Sequence, residues 1–122
     1  MTWLRAALLG AWASALLLCL GIVIRADAGQ QAREFSVVGS DFAFAPPTID
    51  VRQNDVVRVV FRADDIPHAF TIDEYRIAKR AAAGQTVVIE FRADRAGRFV
   101  IYCSLTTDDR CRRMKGELLV RP

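Results

Sequence analysis

Short runs in which apolar and polar side chains alternate fill most of the chain after residue 33, and this pattern most restricts the fold. Val57, Val59 and Phe61 point to one side of a strand, while Arg58 and Arg62 point to the other. Turn-forming Pro-Pro and Asn-Asp pairs separate these runs. The same alternation recurs at residues 86–92, 97–103 and 117–121. We therefore predict an all-β sandwich or barrel of about seven or eight strands, with apolar inner faces and charged outer faces.

One stretch does not fit the alternation. Asp73–Ala83 ends in three consecutive alanines and is followed by Gly84. It is compatible either with a helical turn that ends at the glycine or with a crossover between two sheets.

An uncharged apolar run, residues 6–24, lies near the start of the chain between two arginines. The segment Ala26–Asp27–Ala28 fits the small-residue pattern of a signal-peptidase site, whereas the length of the run also suits one membrane-spanning helix. We predict one N-terminal apolar helix, as a signal peptide or a membrane anchor over residues 1–28. Either alternative places the following domain outside the cytoplasm, in the periplasm or secreted. The run attaches the domain to the membrane if cleavage does not occur.

The rest of the chain is predicted to be a polar linker over residues 29–33 and one domain over residues 34–122. A total of 122 residues is too few for a two-domain enzyme. The net charge is +3, and the arginines are scattered among acidic residues, which argues against a nucleic-acid partner. Because the chain has one histidine and no nucleophile arranged beside it, we predict that the protein is not an enzyme.

One histidine and two cysteines carry the donor atoms best suited to a metal ion. Strand alternation places His68 on the core face with Phe70, and Cys103 likewise ends a strand on an inward face. The loop that follows carries Cys111 and Met114. A strand end followed by a loop with sulfur ligands, together with a distant histidine, is typical of copper electron-transfer sites, and methionine disfavours zinc. Because the predicted compartment is oxidising, a metal-free Cys103–Cys111 disulfide is the alternative.

Residues 33–121 resemble a cupredoxin, the blue-copper family with a Greek-key β-sandwich. Four segments carry the resemblance: the opening strands at residues 42–57, the first-histidine segment Asp65–Phe70, the strand Gly97–Ser104 that enters the ligand loop, and the strand Met114–Val120 that leaves it. The resemblance implies a Greek-key sandwich or barrel that binds copper.

The ligand loop is similar to that of the copper domain of cytochrome c oxidase subunit II. That pattern has a cysteine, a second cysteine four residues on, a histidine eight on and a methionine eleven on, and Cys103 and Met114 match its first and last positions. Thr107 stands at the second cysteine and Cys111 at the histidine, so the composition of a dinuclear centre is not met. The resemblance implies an atypical copper site made by His68, Cys103, Cys111 and Met114.

The resulting hypothesis is an extracytoplasmic copper-binding protein that carries either electrons or copper. Its expected partner is a membrane redox protein or a copper-handling protein. The alternative is a metal-free interaction module of the same fold, in which Cys103 and Cys111 are joined.

Overall fold

The computed structural model describes residues 30–122. The predicted signal peptide or anchor over residues 1–28, with its apolar run at 6–24, lies outside the described residues and stays a prediction. Within residues 30–122, no helix is long and apolar enough to cross a membrane.

Nine strands, one 3-10 turn and one short helix make up the described part of the chain. In order they are β1 (Arg33–Ser40), β2 (Ala43–Ala45), β3 (Thr48–Arg52), β4 (Val56–Ala63), β5 (His68–Ile72), the 3-10 turn (Asp73–Tyr75), β6 (Ile77–Ala81), β7 (Thr86–Arg92), β8 (Gly97–Tyr102), α1 (Asp109–Arg113) and β9 (Lys115–Arg121). One sheet has the order β2-β1-β4-β7 and the other β3-β9-β8-β5-β6. The pairs β1–β4 and β3–β9 are parallel, and the remaining pairs are antiparallel.

The apolar side chains of the alternating runs meet between the two sheets. Phe61 of β4 and Phe70 of β5 are fully buried, with ring centroids 5.6 Å apart, and Phe44 of β2 packs against both. Arg58 and Arg62 lie on the other face of β4 and form ion pairs at the surface. Burial of each phenylalanine contributes about 1.5–3 kcal/mol to stability. The prediction of an all-β fold with apolar inner faces is confirmed.

The nine strands exceed the predicted seven or eight partly because the alanine-rich stretch Asp73–Ala83 contains a strand. After the 3-10 turn, Arg76 adopts a left-handed conformation with φ of 52°, and the chain then reverses. The strand β6 pairs with β5 along its length, from Ile72 opposite Ile77 to His68 opposite Ala81. The stretch is therefore neither a helical turn ending at Gly84 nor a crossover, because pairing with β5 outweighs the helix propensity of alanine.

The short strand β2 follows a tight turn that the sequence does not signal. Asp41 and Phe42 link Ser40 to Ala43 and have φ values of 49° and 56°, as in a two-residue hairpin loop that usually contains asparagine and glycine. The backbone N–H of Asp41 donates to Oδ2 of Asp65 at 2.7 Å. This contact from a distant loop supports the turn, which explains how it forms without glycine.

Candidate metal centre

His68 is the first residue of β5, and its side chain is completely buried. Its Nε2 atom lies 2.7 Å from Oδ1 of Asp65, three residues earlier in the chain. Its Nδ1 atom is also buried and has no hydrogen-bond partner among the described residues. A histidine that ligates a metal usually donates its other ring N–H to a carboxylate in this way, which fixes the tautomer and the ring orientation.

The charge on Asp65 decides which ring nitrogen carries the proton. The backbone N–H of Asp41 holds the pKa of Asp65 well below its usual value, with His68 and the N–H of Ile66 acting in the same direction. An ionised carboxylate only accepts hydrogen bonds, so Nε2 of His68 is the donor. In the neutral imidazole, Nδ1 then presents an unshared lone pair inside the protein.

Cys103 follows the last residue of β8 and is fully buried. Its Sγ atom accepts a hydrogen bond from the backbone N–H of Ala69, at 3.4 Å, which places it beside the residue that follows His68. Cys111 lies in α1, and its Cα atom is 5.2 Å from that of Cys103. The two sulfur atoms are joined as a disulfide.

The helix α1 positions Cys111 through its first turn. Asp108 caps the helix by accepting a hydrogen bond from the backbone N–H of Arg110 at 2.9 Å. The side chain of Arg110 also donates to Asp108, and this ion pair lowers the pKa of Asp108. The same guanidinium lies over the ring of Phe42, 4.4 Å from its centroid, which connects α1 to the turn between β1 and β2.

Met114 is almost completely buried, and its backbone forms hydrogen bonds with the backbone of both cysteines. Its N–H donates to the carbonyl of Cys111 at 3.0 Å, and its own carbonyl accepts from the N–H of Cys103 at 3.3 Å. Its methyl group occupies space beside Gly39 of β1: a Cβ atom there would lie 3.2 Å from Cε of Met114 and 3.1 Å from the ring of Phe61. The missing side chain at position 39 therefore makes room for the methionine.

The Gly39→Ala substitution is expected to destabilise the protein by about 1–3 kcal/mol, because the new methyl group overpacks the core against Met114 and Phe61. Urea denaturation measures the loss. In the Met114→Ala background the added methyl group no longer contacts the methionine side chain, so the Gly39→Ala substitution is expected to lower the free energy of unfolding by less. An equal cost in both backgrounds would show that Gly39 does not make room for Met114.

All four predicted ligands, His68, Cys103, Cys111 and Met114, are buried. Cys103 is joined to Cys111, contacts the residue after His68, and donates a backbone hydrogen bond to Met114. As long as the disulfide is intact, the imidazole nitrogen and the thioether are the two free donors of this set. Among residues 30–122, no three histidine, cysteine, aspartate or glutamate side chains are arranged to hold a metal ion. The set fits copper once the disulfide is reduced, because one imidazole, two thiolates and one thioether are donors that Cu(I) prefers.

Two residues that support His68 are not among the sequence predictions. Asp65 contacts Nε2 of His68, and Asp41 holds Asp65 from the turn between β1 and β2. The sequence contains a signal for the contact between Asp65 and His68, because Asp65 lies three residues before the one histidine of the chain. Nothing in the sequence connects Asp41 to His68, since the two are far apart along the chain.

The cupredoxin-like domain family matches residues 9–120 of the chain. Among solved structures, a chain of a heme-copper terminal oxidase dimer has a TM-score of 0.68 and 16% identity, over 76% of this chain and 66% of that one. The metal-binding domain of the Cu(I)-exporting P-type ATPase CopA of Streptococcus pneumoniae D39, solved with Cu(I), has a TM-score of 0.63 and 15% identity over 75% and 87%. Auracyanin A, a "blue" copper protein of Chloroflexus aurantiacus, has a TM-score of 0.60 and 18% identity over 75% and 100%.

The chain spans slightly less than two thirds of the oxidase chain that it matches. At these identities the structural likeness shows the fold. The two-sheet fold of the structure agrees with the family match, which covers most of the sequence. The protein belongs to the cupredoxin-like domain family.

Proposed function

We propose that the protein binds copper outside the cytoplasm and carries it as Cu(I), with His68, Cys103, Cys111 and Met114 as ligands in the reduced protein. The proposal is based on the buried Nδ1 atom of His68, which has no hydrogen-bond partner within residues 30–122, and on the carboxylate that fixes the other ring nitrogen. A polar atom buried without a partner costs about 1–3 kcal/mol, and a bound metal ion would remove that cost. Two thiolates and a thioether favour the Cu(I) state, which suits a carrier.

The similar solved structures support the choice of copper. One is described as a metal-binding domain with Cu(I), and another as a blue copper protein. Multicopper oxidases are also among them, so the expectation that this chain is not an enzyme stays a prediction. The extracytoplasmic location and a membrane redox or copper-handling partner are part of the proposal and rest on the sequence.

Cu(I) titration of the full-length protein tests the proposal. The protein is fully reduced and kept free of oxygen, and Cu(I) is supplied in competition with a chromophoric chelator. We expect one Cu(I) per chain, and a much lower affinity for the His68→Ala variant. Thr71→Ala is the control, because Thr71 is a buried polar residue of the same strand that bonds Ser104 instead of a predicted ligand. Reduced wild-type protein that takes up no Cu(I) would refute the proposal.

A redox titration of the copper-loaded protein distinguishes the carrier from an electron-transfer protein. A carrier is expected to lose copper on oxidation, because the ligand set prefers Cu(I). A reversible one-electron wave would instead support electron transfer.

The Asp65→Asn substitution is expected to lower the affinity for Cu(I) by about 10–100-fold, as is usual when the partner of a ligating histidine is changed. The cause is the lost carboxylate, which fixes the tautomer of His68. The same chelator competition measures the effect. Asp64→Asn is the matched control, because Asp64 pairs with Arg62 at the surface. Equal affinities for both variants would show that the contact between Asp65 and His68 does not support metal binding.

The disulfide favours a second candidate, the metal-free interaction module. Mass spectrometry of protein isolated from its own compartment separates the two candidates. A gain of two daltons on reduction, with no copper before or after, favours the module. Copper that co-purifies with the protein favours the carrier.

A further inference from the structure

We propose that the Cys103–Cys111 disulfide is a reversible gate on the copper site, and that a protein dithiol opens it by attacking the Sγ atom of Cys111 from a surface groove. The proposal rests on the proposed function, because the gate controls ligands of that site. It assigns the attacked sulfur, the leaving sulfur and the chemical class of the partner.

The two cysteines differ in their position relative to a surface groove. Cys103 is fully buried between the sheets. Cys111 is also largely buried, with 3% of its surface exposed, but it lines a groove of about 350 Å³ together with Phe42, Ile66, Pro67 and Leu105. Thiol–disulfide exchange requires an attacking thiolate to reach one sulfur, so the groove directs the attack to Cys111.

The surroundings of Cys103 suit a leaving thiolate. The backbone N–H of Ala69 points to its Sγ atom at 3.4 Å, and this contact strengthens as negative charge develops on the sulfur. Arg80 lines the groove, and Asp108, which also lines it, is paired with Arg110. Positive charge of this kind favours a thiolate in the attacking group.

The walls of the groove fit a protein better than a small charged thiol. Ile66 is a large apolar residue that is 39% exposed, and Phe42, Pro67 and Leu105 continue the apolar surface. A partner with a second cysteine has a further advantage. After the first attack, the Cys103 thiolate stays next to Cys111 and re-forms the disulfide, and a second thiol on the partner competes with it intramolecularly.

The exchange balances in two steps. The partner's thiolate forms a bond to Sγ of Cys111, the Cys103–Cys111 bond breaks, and Cys103 leaves as a thiolate that takes up a proton. The partner's second thiol, after losing its proton, then attacks the partner sulfur of the mixed disulfide and releases the Cys111 thiolate, which takes up the second proton. In total the protein gains two electrons and two protons, and the partner dithiol becomes a disulfide. Both cysteines are then available beside His68 and Met114.

The test of the attack uses oxidised full-length protein and a thioredoxin-type protein whose second active-site cysteine is replaced by serine. N-ethylmaleimide quenches the reaction, and peptide mass spectrometry locates the products. We expect a mixed disulfide at Cys111 and the maleimide label on Cys103. The reverse assignment would overturn the proposed route. In a second experiment, glutathione replaces the dithiol protein as the reductant. If glutathione and the intact dithiol protein reduce the disulfide at equal rates per thiolate, the choice of a protein partner is overturned.

Two matched substitutions test the groove. Ile66→Asp is expected to slow reduction by the intact dithiol protein about tenfold, because it replaces an apolar contact by a negative charge that repels the attacking thiolate. Val88→Asp is the control, since Val88 is comparably exposed but lies on β7 in the other sheet. An equal effect of both would overturn the groove as the docking site.

The gate is tested separately from the proposed function by titrating Cu(I) into oxidised and reduced protein. We expect the oxidised form to bind more than about 100-fold more weakly, because two lost ligands cost more than the 10–100-fold typical of one supporting contact. Equal, tight binding by both forms would overturn the gate and leave the copper function standing. No binding by the reduced form would overturn the copper function itself.

Discussion

The Cys111→His variant is expected to bind Cu(II) and to show an intense visible absorption band that the wild-type protein lacks. The substitution removes the disulfide, so Cys103 becomes a free thiolate, and it adds a second imidazole. The donors are then two histidines, one cysteine and one methionine, which is the composition of mononuclear blue-copper sites. The oxidase loop pattern that residues 103–114 resemble has histidine at this position, and α1 already places position 111 next to Cys103. Optical spectra during Cu(II) titration measure the change.

Two control variants separate the contributions to this band. Cys111→Ser also removes the disulfide but adds no imidazole, so it is expected to give a weaker or absent band. Cys103→Ser in the Cys111→His background removes the thiolate and is expected to abolish the band. If the Cys111→His variant binds Cu(II) without the band, Cys103 is not a ligand and the assigned site is wrong.

Reduction of the disulfide is expected to lower the melting temperature by about 10–20 °C, and Cu(I) is expected to restore most of the loss. The disulfide links residues eight positions apart, and a loop of this size contributes about 2–3 kcal/mol. In a domain of this size, each kcal/mol lost from the free energy of unfolding lowers the melting temperature by about 4–8 °C. At a Cu(I) concentration 100 times the dissociation constant, binding to the folded state raises the free energy of unfolding by about 2.7 kcal/mol. Anaerobic thermal denaturation with and without Cu(I) measures both shifts.

The Cys111→Ser variant is the control for this experiment. Its melting temperature is expected to be low from the outset and insensitive to reductant. It is also expected to gain less from Cu(I), because one thiolate is missing. A full gain in this variant would show that Cys111 is not a ligand, and that the site consists of His68, Cys103 and Met114.

The strands that carry the site could be predicted because their side chains alternate. In β4, β7, β8 and β9 the side chains that the alternation predicts to face inward are more buried than their neighbours, although Val88 and Val100 are apolar residues on the outer face. The strands β2 and β6 were missed for local reasons. The turn before β2 has Phe42 at a positive φ, without the usual glycine, and β6 consists partly of alanine.

The same alternation placed His68 and Cys103 on inward faces, which the structure confirms by their complete burial. The sequence could not decide between a disulfide and two metal ligands, because a spacing of eight residues suits both. It also could not predict the contact between Asp65 and His68, since that contact depends on the conformation of the loop before β5. The ligand assignment itself stays a prediction.

By itself the sequence determined the inner and outer faces of the strands, the family, and the inward direction of His68 and Cys103, because these follow from the two-residue period of a strand and from local motifs. Only the tertiary structure joined Cys103 to Cys111, placed Asp41 against Asp65, and buried Nδ1 of His68 without a partner in the described part of the chain. These features depend on distances between residues from different strands and loops. Such distances are fixed when the two sheets pack, and no single segment of the chain contains them.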